Sequence, residues 1–101
     1  RLSAIKEYYK ANPKVKVIGY DSFTSDAVRS EGADAILRGV RSVADYEYER
    51  NMADVNACLE NVETVFLCSS PKVQHISSSL IREMINFGRP IDGLVIDTFN
   101  I

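Results

Sequence analysis

Apolar positions along the chain alternate between helical spacing and short continuous runs. Leu2, Ile5 and Tyr8 or Tyr9 recur at helical spacing, and Asn12-Pro13 predicts the stop of that first helix. Val15, Val17 and Ile18 make a short β-rich run that ends at Gly19-Tyr20. Thr24 or Ser25 is placed to cap a second helix through Ala27 and Val28, closed by Gly32. Ala35-Ile36-Leu37 reads as a buried strand, followed by a turn at Arg38-Gly39 where glycine lets the backbone bend closely. The longest helix is predicted from Ser42 to about Leu59, and Glu63 to Leu67 is the next strand. A loop from Cys68 to His75 leads into a helix from Ser77 to about Phe87, ended by Gly88 and Pro90. The tail from Ile91 to Ile101 carries a weak apolar pattern that fits one further short helix. Helices between short apolar strands predict an α/β domain with a parallel sheet and right-handed crossovers. No repeat, low-complexity segment or linker divides it, so residues 1–101 read as one domain.

Composition narrows the classes open to such a domain. A chain of 101 residues is large enough for a real core but small for a complete enzyme. It lacks an initiating Met and a signal peptide before Arg1, which leads to the expectation that an N-terminal piece is missing. A net charge of −2 offers no basic surface for non-specific nucleic-acid binding. No apolar run approaches the roughly 20 residues needed to span a bilayer, so no membrane role is expected. Cys58 and Cys68 have no metal-ligand spacing; reduced thiols in a cytoplasmic protein are the default.

Chemistry concentrates in two stretches. In RGVRSVADYEYE, Arg38 to Glu49, Ser42 is placed to cap a helix, with Asp45 at its third position. A strand end, a turn and a helix N-terminus gather unpaired N–H groups and the positive end of a dipole, and anions bind there. Arg38 and Arg41 flank that entrance, and the guanidinium fork matches phosphate oxygens in bidentate fashion. In ISSSLIRE, Ile76 to Glu83, three serines open a helix after another strand and loop, the same kind of entrance. Open α/β sheets bind ligands beyond the carboxyl ends of their strands, so two facing entrances suggest a nucleotide.

These residues carry a resemblance. Arg-Gly-x-Arg-x-x-x-Asp-x-x-Tyr-Glu, followed by Asn51-Met52-Ala53, Val65-Phe66-Leu67 and ISSSLIRE, resembles bacterial phosphopantetheine adenylyltransferases of the nucleotidyltransferase superfamily. The likeness runs from Arg1 to about Gly88; the serine-rich start is common to many nucleotidyltransferases, whereas the arginine run is much closer to this one enzyme. It implies a Rossmann-like nucleotidyltransferase fold, a parallel sheet flanked by helices. It also implies the joining of ATP and 4′-phosphopantetheine to give dephospho-coenzyme A and pyrophosphate, with Mg2+, in a homo-oligomer that is hexameric in the family. Arg41, Ser77, Ser78 and Ser79 would then hold the β- and γ-phosphates of ATP, with Tyr48, Glu49 and Ile76 near the adenosine. Arg38 would hold the phosphate of phosphopantetheine, and Glu83 would lie toward the pantetheine side.

Other readings stand beside these. Tyr48 also suits a helix residue packed on the sheet, Glu49 a solvated helix charge, and Asp45 a capping carboxylate rather than a catalytic acid. His75, the sole histidine, suits a loop or pocket wall. The family's Thr-x-Gly-x-Phe-Asp-Pro segment with its Gly-His, and its phosphate-orienting lysine, are not in this sequence and would lie ahead of Arg1. Catalytic residues are therefore expected outside this segment, and the segment alone to be inactive. Val73-Gln74-His75 replaces an aromatic–Ser–aromatic loop, and Asn86 replaces a basic residue for which Arg89 is the possible substitute. A non-catalytic nucleotide-binding fragment, or a nucleotidyltransferase acting on nicotinate mononucleotide or glycerol phosphate, is the alternative.

Overall fold

A computed structural model describes residues 2–95. Its elements run α1 (Leu2–Tyr9), α2 (Thr24–Glu31), β1 (Ala35–Val40), α3 (Val43–Glu60), β2 (Glu63–Cys68) and α4 (Ser78–Asn86). They fall into two units, one of residues 20–74 and one of the described residues in 1–19 and 75–101. Each is taken by itself.

The larger unit is a parallel α/β arrangement, as the alternating pattern predicts. β1 pairs with β2 in parallel, with Leu37 opposite Val65, Arg38 opposite Phe66 and Val40 opposite Cys68. β1 runs three residues past the expected end at Leu37. Arg38, Gly39 and Val40 each have a partner on β2, and ladder pairing outweighs the turn tendency of a glycine. The backbone therefore turns at Arg41-Ser42, not at Arg38-Gly39. Side chains alternate across a strand, so Ile36, Arg38 and Val40 share a face with Thr64 and Phe66. Contacts from α3 reach both strands, and on it the Tyr46 ring meets Phe66 edge-on at 5.5 Å between centroids. Leu37, Val65 and Leu67 lie on the opposite face and are exposed.

Capping follows the sequence closely at Gly32, Gly88, Ser42 and Ser77 and departs at the start of α2. Gly32 closes α2 in the left-handed region, at φ 64°, and Ala33 N–H reaches back to the Val28 carbonyl. Gly88, at φ 68°, closes α4 in the same way, with Arg89 N–H on the Met84 carbonyl. Ser42 caps α3 as expected. The start of α2 differs: Phe23 holds the capping position without a side-chain bond, and Thr24 instead lies 2.9 Å from the Tyr20 hydroxyl. At the other end of α3, Asn61 takes a left-handed turn at φ 52° and donates its N–H to Ala57. Asparagine does this more readily than other residues with a Cβ.

In the other unit, α1 and α4 form as the spacing predicts, and Ile81 is buried. The run Val15 to Ile18 does not become a strand. It has no ladder partner among the described residues, and β-rich composition makes a strand only where a neighbour takes its hydrogen bonds. Residues 91–94 form a turn closed by Leu94 N–H on Ile91; the rest of the expected tail helix lies outside the described residues.

The core of the larger unit holds Val28, Val40 and Val62, with α2 packed on α3. Arg29 at the end of α2 donates through Nε and Nη2 to one Glu60 oxygen, at 2.9 and 2.6 Å. A glutamate in the last turn of α3 faces the negative end of its own helix dipole, which the Arg29 cation offsets. The hydrogen bond from Arg29 is the main cause that holds the Glu60 carboxyl below its ordinary pKa. A depressed folded-state pKa means the pair stabilises fully above the unfolded glutamate value and is lost as pH falls through the folded one. The Tm difference between this protein and its Glu60→Gln variant should therefore be greatest near neutral pH and vanish in acid. A difference independent of pH would place its origin elsewhere.

Candidate functional site

The turn at Arg41-Ser42 delivers the chain from β1 into the first turn of α3. Ser42 sits in extended backbone, φ −147° and ψ 169°, and its Oγ accepts the Asp45 N–H at 3.1 Å. Asp45 answers across the turn: its Oδ2 accepts from Arg41 N and from Arg41 Nε, each at 3.2 Å. Asp45 is therefore a cap carboxylate, and it also holds the guanidinium of a predicted phosphate ligand. The helix entrance behind it keeps first-turn N–H groups that have no intrahelical acceptor.

Arg38 lies on β1, on the face that α3 covers. It donates from Nε to Glu49 Oε2 at 2.9 Å and from Nη2 to Oε1 at 2.6 Å. That is a two-pronged pair, with a Glu49 side chain only 14% exposed against 53% for Arg38. The hydrogen bond that Arg38 donates to Glu49 is the chief cause that raises the Arg38 pKa further, against the opposing cost of burial. Glu49 is thus neither a solvated charge nor a residue without a partner.

Beside this pair opens a pocket of about 310 Å³. Arg38, Tyr48 and Glu49 line one part of it, and Tyr20 and Thr24 another. Met52, Ala53 and Asn56 continue along α3, and Ile36, Leu37 and Thr64 come from the strands. Asn56 is buried at 5% exposure. Its Oδ1 and the Thr64 Oγ1 have no hydrogen-bond partner among the described residues. Buried oxygens without donors are costly. The Tyr48 ring is 66% exposed, so it is not packed on the sheet.

In the other unit, Ser77 caps α4 and its Oγ accepts the Leu80 N–H at 3.1 Å. Ser78 and Ser79 are exposed in the first turn, with Arg82 Nη2 3.4 Å from the Ser79 hydroxyl. Ile76 is half-buried, and Glu83 is exposed on the same helix. The predicted residues thus divide, with Arg38, Arg41, Tyr48 and Glu49 in one unit and Ile76, Ser77, Ser78, Ser79 and Glu83 in the other. No group of three or more His, Cys, Asp or Glu among the described residues could hold a metal ion.

Asn56 and Thr64 were not singled out from the sequence. A signal existed for Asn56: it follows Glu49 by seven residues, with Met52 and Ala53 between, which puts all four on one helix face. A polar residue on that inward stripe marks a pocket wall. Of the carboxylate partners of the two arginines, Asp45 stands four residues from Arg41, a legible spacing, whereas Glu49 stands eleven from Arg38 and leaves no periodic trace.

A parallel α/β unit with an anion-type helix entrance after a strand belongs to a recognisable class. Residues 1–84 match the family model described as cytidylyltransferase-like. The phosphopantetheine adenylyltransferase of Porphyromonas gingivalis is 45% identical, over 96% of this chain and 67% of its own length. That of Phocaeicola vulgatus is 38% identical, over 96% of this chain and 68% of its own. That of Symbiobacterium thermophilum is 43% identical, over 94% and 59%. The chain belongs to the cytidylyltransferase-like proteins and, within them, to the phosphopantetheine adenylyltransferase family. It spans 59–68% of the length of these relatives.

The cap at Ser77 carries its own test. Ser77→Ala removes the acceptor for Leu80 N–H and should cost about 1 kcal/mol of stability, whereas Ser77→Gly should cost a few tenths. Urea unfolding of the two variants measures the difference. Equal losses would mean that the hydroxyl does not cap α4.

Proposed function

We propose that this chain carries substrate-holding parts of an enzyme that transfers the adenylyl group of ATP to 4′-phosphopantetheine, in coenzyme A biosynthesis. The observation that carries this is the pocket lined by Arg38, Tyr48 and Glu49, beside the helix entrance at Arg41-Ser42. A cation suits a phosphate, and 4′-phosphopantetheine carries one. A volume of about 310 Å³ lies within the range of small-molecule sites. Membership of the phosphopantetheine adenylyltransferase family supports the same substrate pair.

The acceptor phosphate is itself an anionic nucleophile. In the reaction it forms a new P–O bond to the α-phosphorus of ATP while the bond to the β-phosphate oxygen breaks and pyrophosphate leaves. No side chain need remove a proton, and no covalent enzyme intermediate forms. What the chain supplies is position and charge. Arg41 and the first turn of α3 are assigned to the polyphosphate of ATP, as are Ser77, Ser78 and Ser79. Arg38 is assigned to the acceptor phosphate and Tyr48 to the adenosine. Ile76 is assigned to the adenosine side and Glu83 to the pantetheine side on family resemblance alone. Magnesium is assigned to the phosphates of ATP, where it would offset charge, since Mg2+ is commonly held through substrate phosphates. A cytoplasmic homo-oligomer, hexameric as in the family, completes the reading.

Arginine-to-lysine changes test the two phosphate assignments, because lysine keeps the charge and loses the fork. In the full-length protein, Arg41→Lys should lower kcat/KM for ATP by about 10- to 150-fold, the equivalent of one charge-assisted hydrogen bond. The effect on 4′-phosphopantetheine should be smaller, and Arg38→Lys should rank the two substrates the other way. Pyrophosphate release with 4′-phosphopantetheine should also exceed that with nicotinate mononucleotide or glycerol phosphate. Turnover with those acceptors alone would replace this reading.

A further inference from the structure

We infer that the paired hydroxyls of Tyr20 and Thr24 hold an amide of the pantetheine arm, which makes Tyr20 a specificity-determining residue for the acceptor. The inference deepens the substrate reading above and rests on it. Both residues line the pocket that Arg38 lines, and all three belong to the larger unit. The Tyr20 hydroxyl and Thr24 Oγ1 stand 2.9 Å apart, so one donates to the other. Among the described residues, neither hydroxyl has another hydrogen-bond partner. Whichever donates, the pair keeps one O–H to give and oxygen lone pairs to accept with. That is the complement of an amide, which offers one carbonyl oxygen and one N–H. An ionised phosphate offers acceptors only, and a guanidinium, all donor, suits it better. 4′-Phosphopantetheine carries both kinds of group, a phosphate at one end and two amides along its arm.

The start of α2 shows what this pair displaces. Threonine ranks among the residues that cap helices well, and phenylalanine does not. Yet Phe23 holds the capping position with no side-chain bond, and Thr24 comes one residue too late to cap. Its hydroxyl turns to Tyr20 instead. Tyr20 is 53% exposed, so packing does little to fix its ring, and the bond to Thr24 sets its hydroxyl at the pocket wall. Thr24 is half-buried in the first turn of a helix, a firmer base than the extended chain that carries Tyr20. A ligand in the pocket removes the water these hydroxyls would otherwise bind. They therefore reject an arm without an amide more strongly than they reward one with it.

The test uses the full-length protein and reads KM for 4′-phosphopantetheine, KM for ATP and kcat separately. Tyr20→Phe keeps the ring and removes the hydroxyl; it should raise KM for 4′-phosphopantetheine about 3- to 10-fold. KM for ATP and kcat should stay within about twofold, since a contact to the arm is the same before and during transfer. Thr24→Val should give a rise of similar size, and Thr24→Ser, which keeps the hydroxyl, should not. The double variant Tyr20→Phe/Thr24→Val should fall short of the product of the two rises, because the hydroxyls act as one unit. Circular dichroism establishes that each variant folds. Acceptor analogues with one or the other amide changed to an ester separate contact from structure, and they need no variant to do so. The unaltered protein should have a higher KM for one of the two esters than for the amide, and the double variant should not distinguish them. An unchanged KM in Tyr20→Phe would overturn the inference, as would an unaltered protein indifferent to both esters. A rise in KM for ATP alone would put the pair on the nucleotide and overturn it too. No turnover of 4′-phosphopantetheine by the unaltered protein would instead remove the substrate reading, and the inference with it.

Discussion

Parallel strands cannot be joined by a hairpin, and the architecture around the arginines follows from that constraint. A chain leaving β1 at Val40 must travel back along the sheet before it can enter β2 at Glu63 in the same direction. An 18-residue helix spans about 27 Å, enough to return past a six-residue strand of about 20 Å. Its first turn therefore sits beyond the carboxyl ends of both strands, with its unpaired N–H groups facing out. Its second turn passes back over the sheet, where Glu49 reaches Arg38. The anion entrance and the ion pair are consequences of one crossover.

Charge in this unit is arranged so that cations are presented and carboxylates hold them. Arg38 is held by Glu49 and Arg41 by Asp45, and in each pair the carboxylate lies on α3 and the arginine on the strand or turn before it. The Asp45 tether is short-range: one oxygen takes both the backbone and the side chain of Arg41. The Glu49 tether is longer and two-pronged. An arginine on a bare loop would have to be ordered by its ligand, at a cost in side-chain entropy. Here part of that ordering precedes any ligand.

The fold class was legible because period and punctuation agreed. Gly32 and Gly88 stop helices for a local reason, the left-handed turn that a Cβ resists, and a local reason can be read from one residue. The caps at Ser42 and Ser77 belong to the same category. What failed to show was everything settled by a partner distant in sequence. Val15 to Ile18 has strand composition and does not form a strand, whereas Arg38 to Val40 looks like a turn and is zipped into a ladder by Phe66, Leu67 and Cys68. At the site, the arginines were visible from the motif. The role of Glu49 was not, since a helix charge looks the same whether it faces water or a guanidinium. Asn56 and Thr64 stayed hidden because burial without a partner is a property of the packed unit.

The chemistry proposed for the family explains why such tethers matter more here than a tuned acid or base. When the nucleophile is already an anion, the barrier lies in bringing two polyanions together against their repulsion and holding them in line. A proton-transfer residue would have nothing to do in that step. Guanidinium groups reduce the repulsion only if they stand where the phosphates must meet, and an error of an ångström weakens both position and charge stabilisation. Arg38 fits that demand: its hydrogen bonds to Glu49, the largest cause of its raised pKa, also fix its direction. In this unit the same hydrogen bonds stabilise the cation and aim it, so the loss of one carboxylate would loosen the geometry while leaving the charge itself in place.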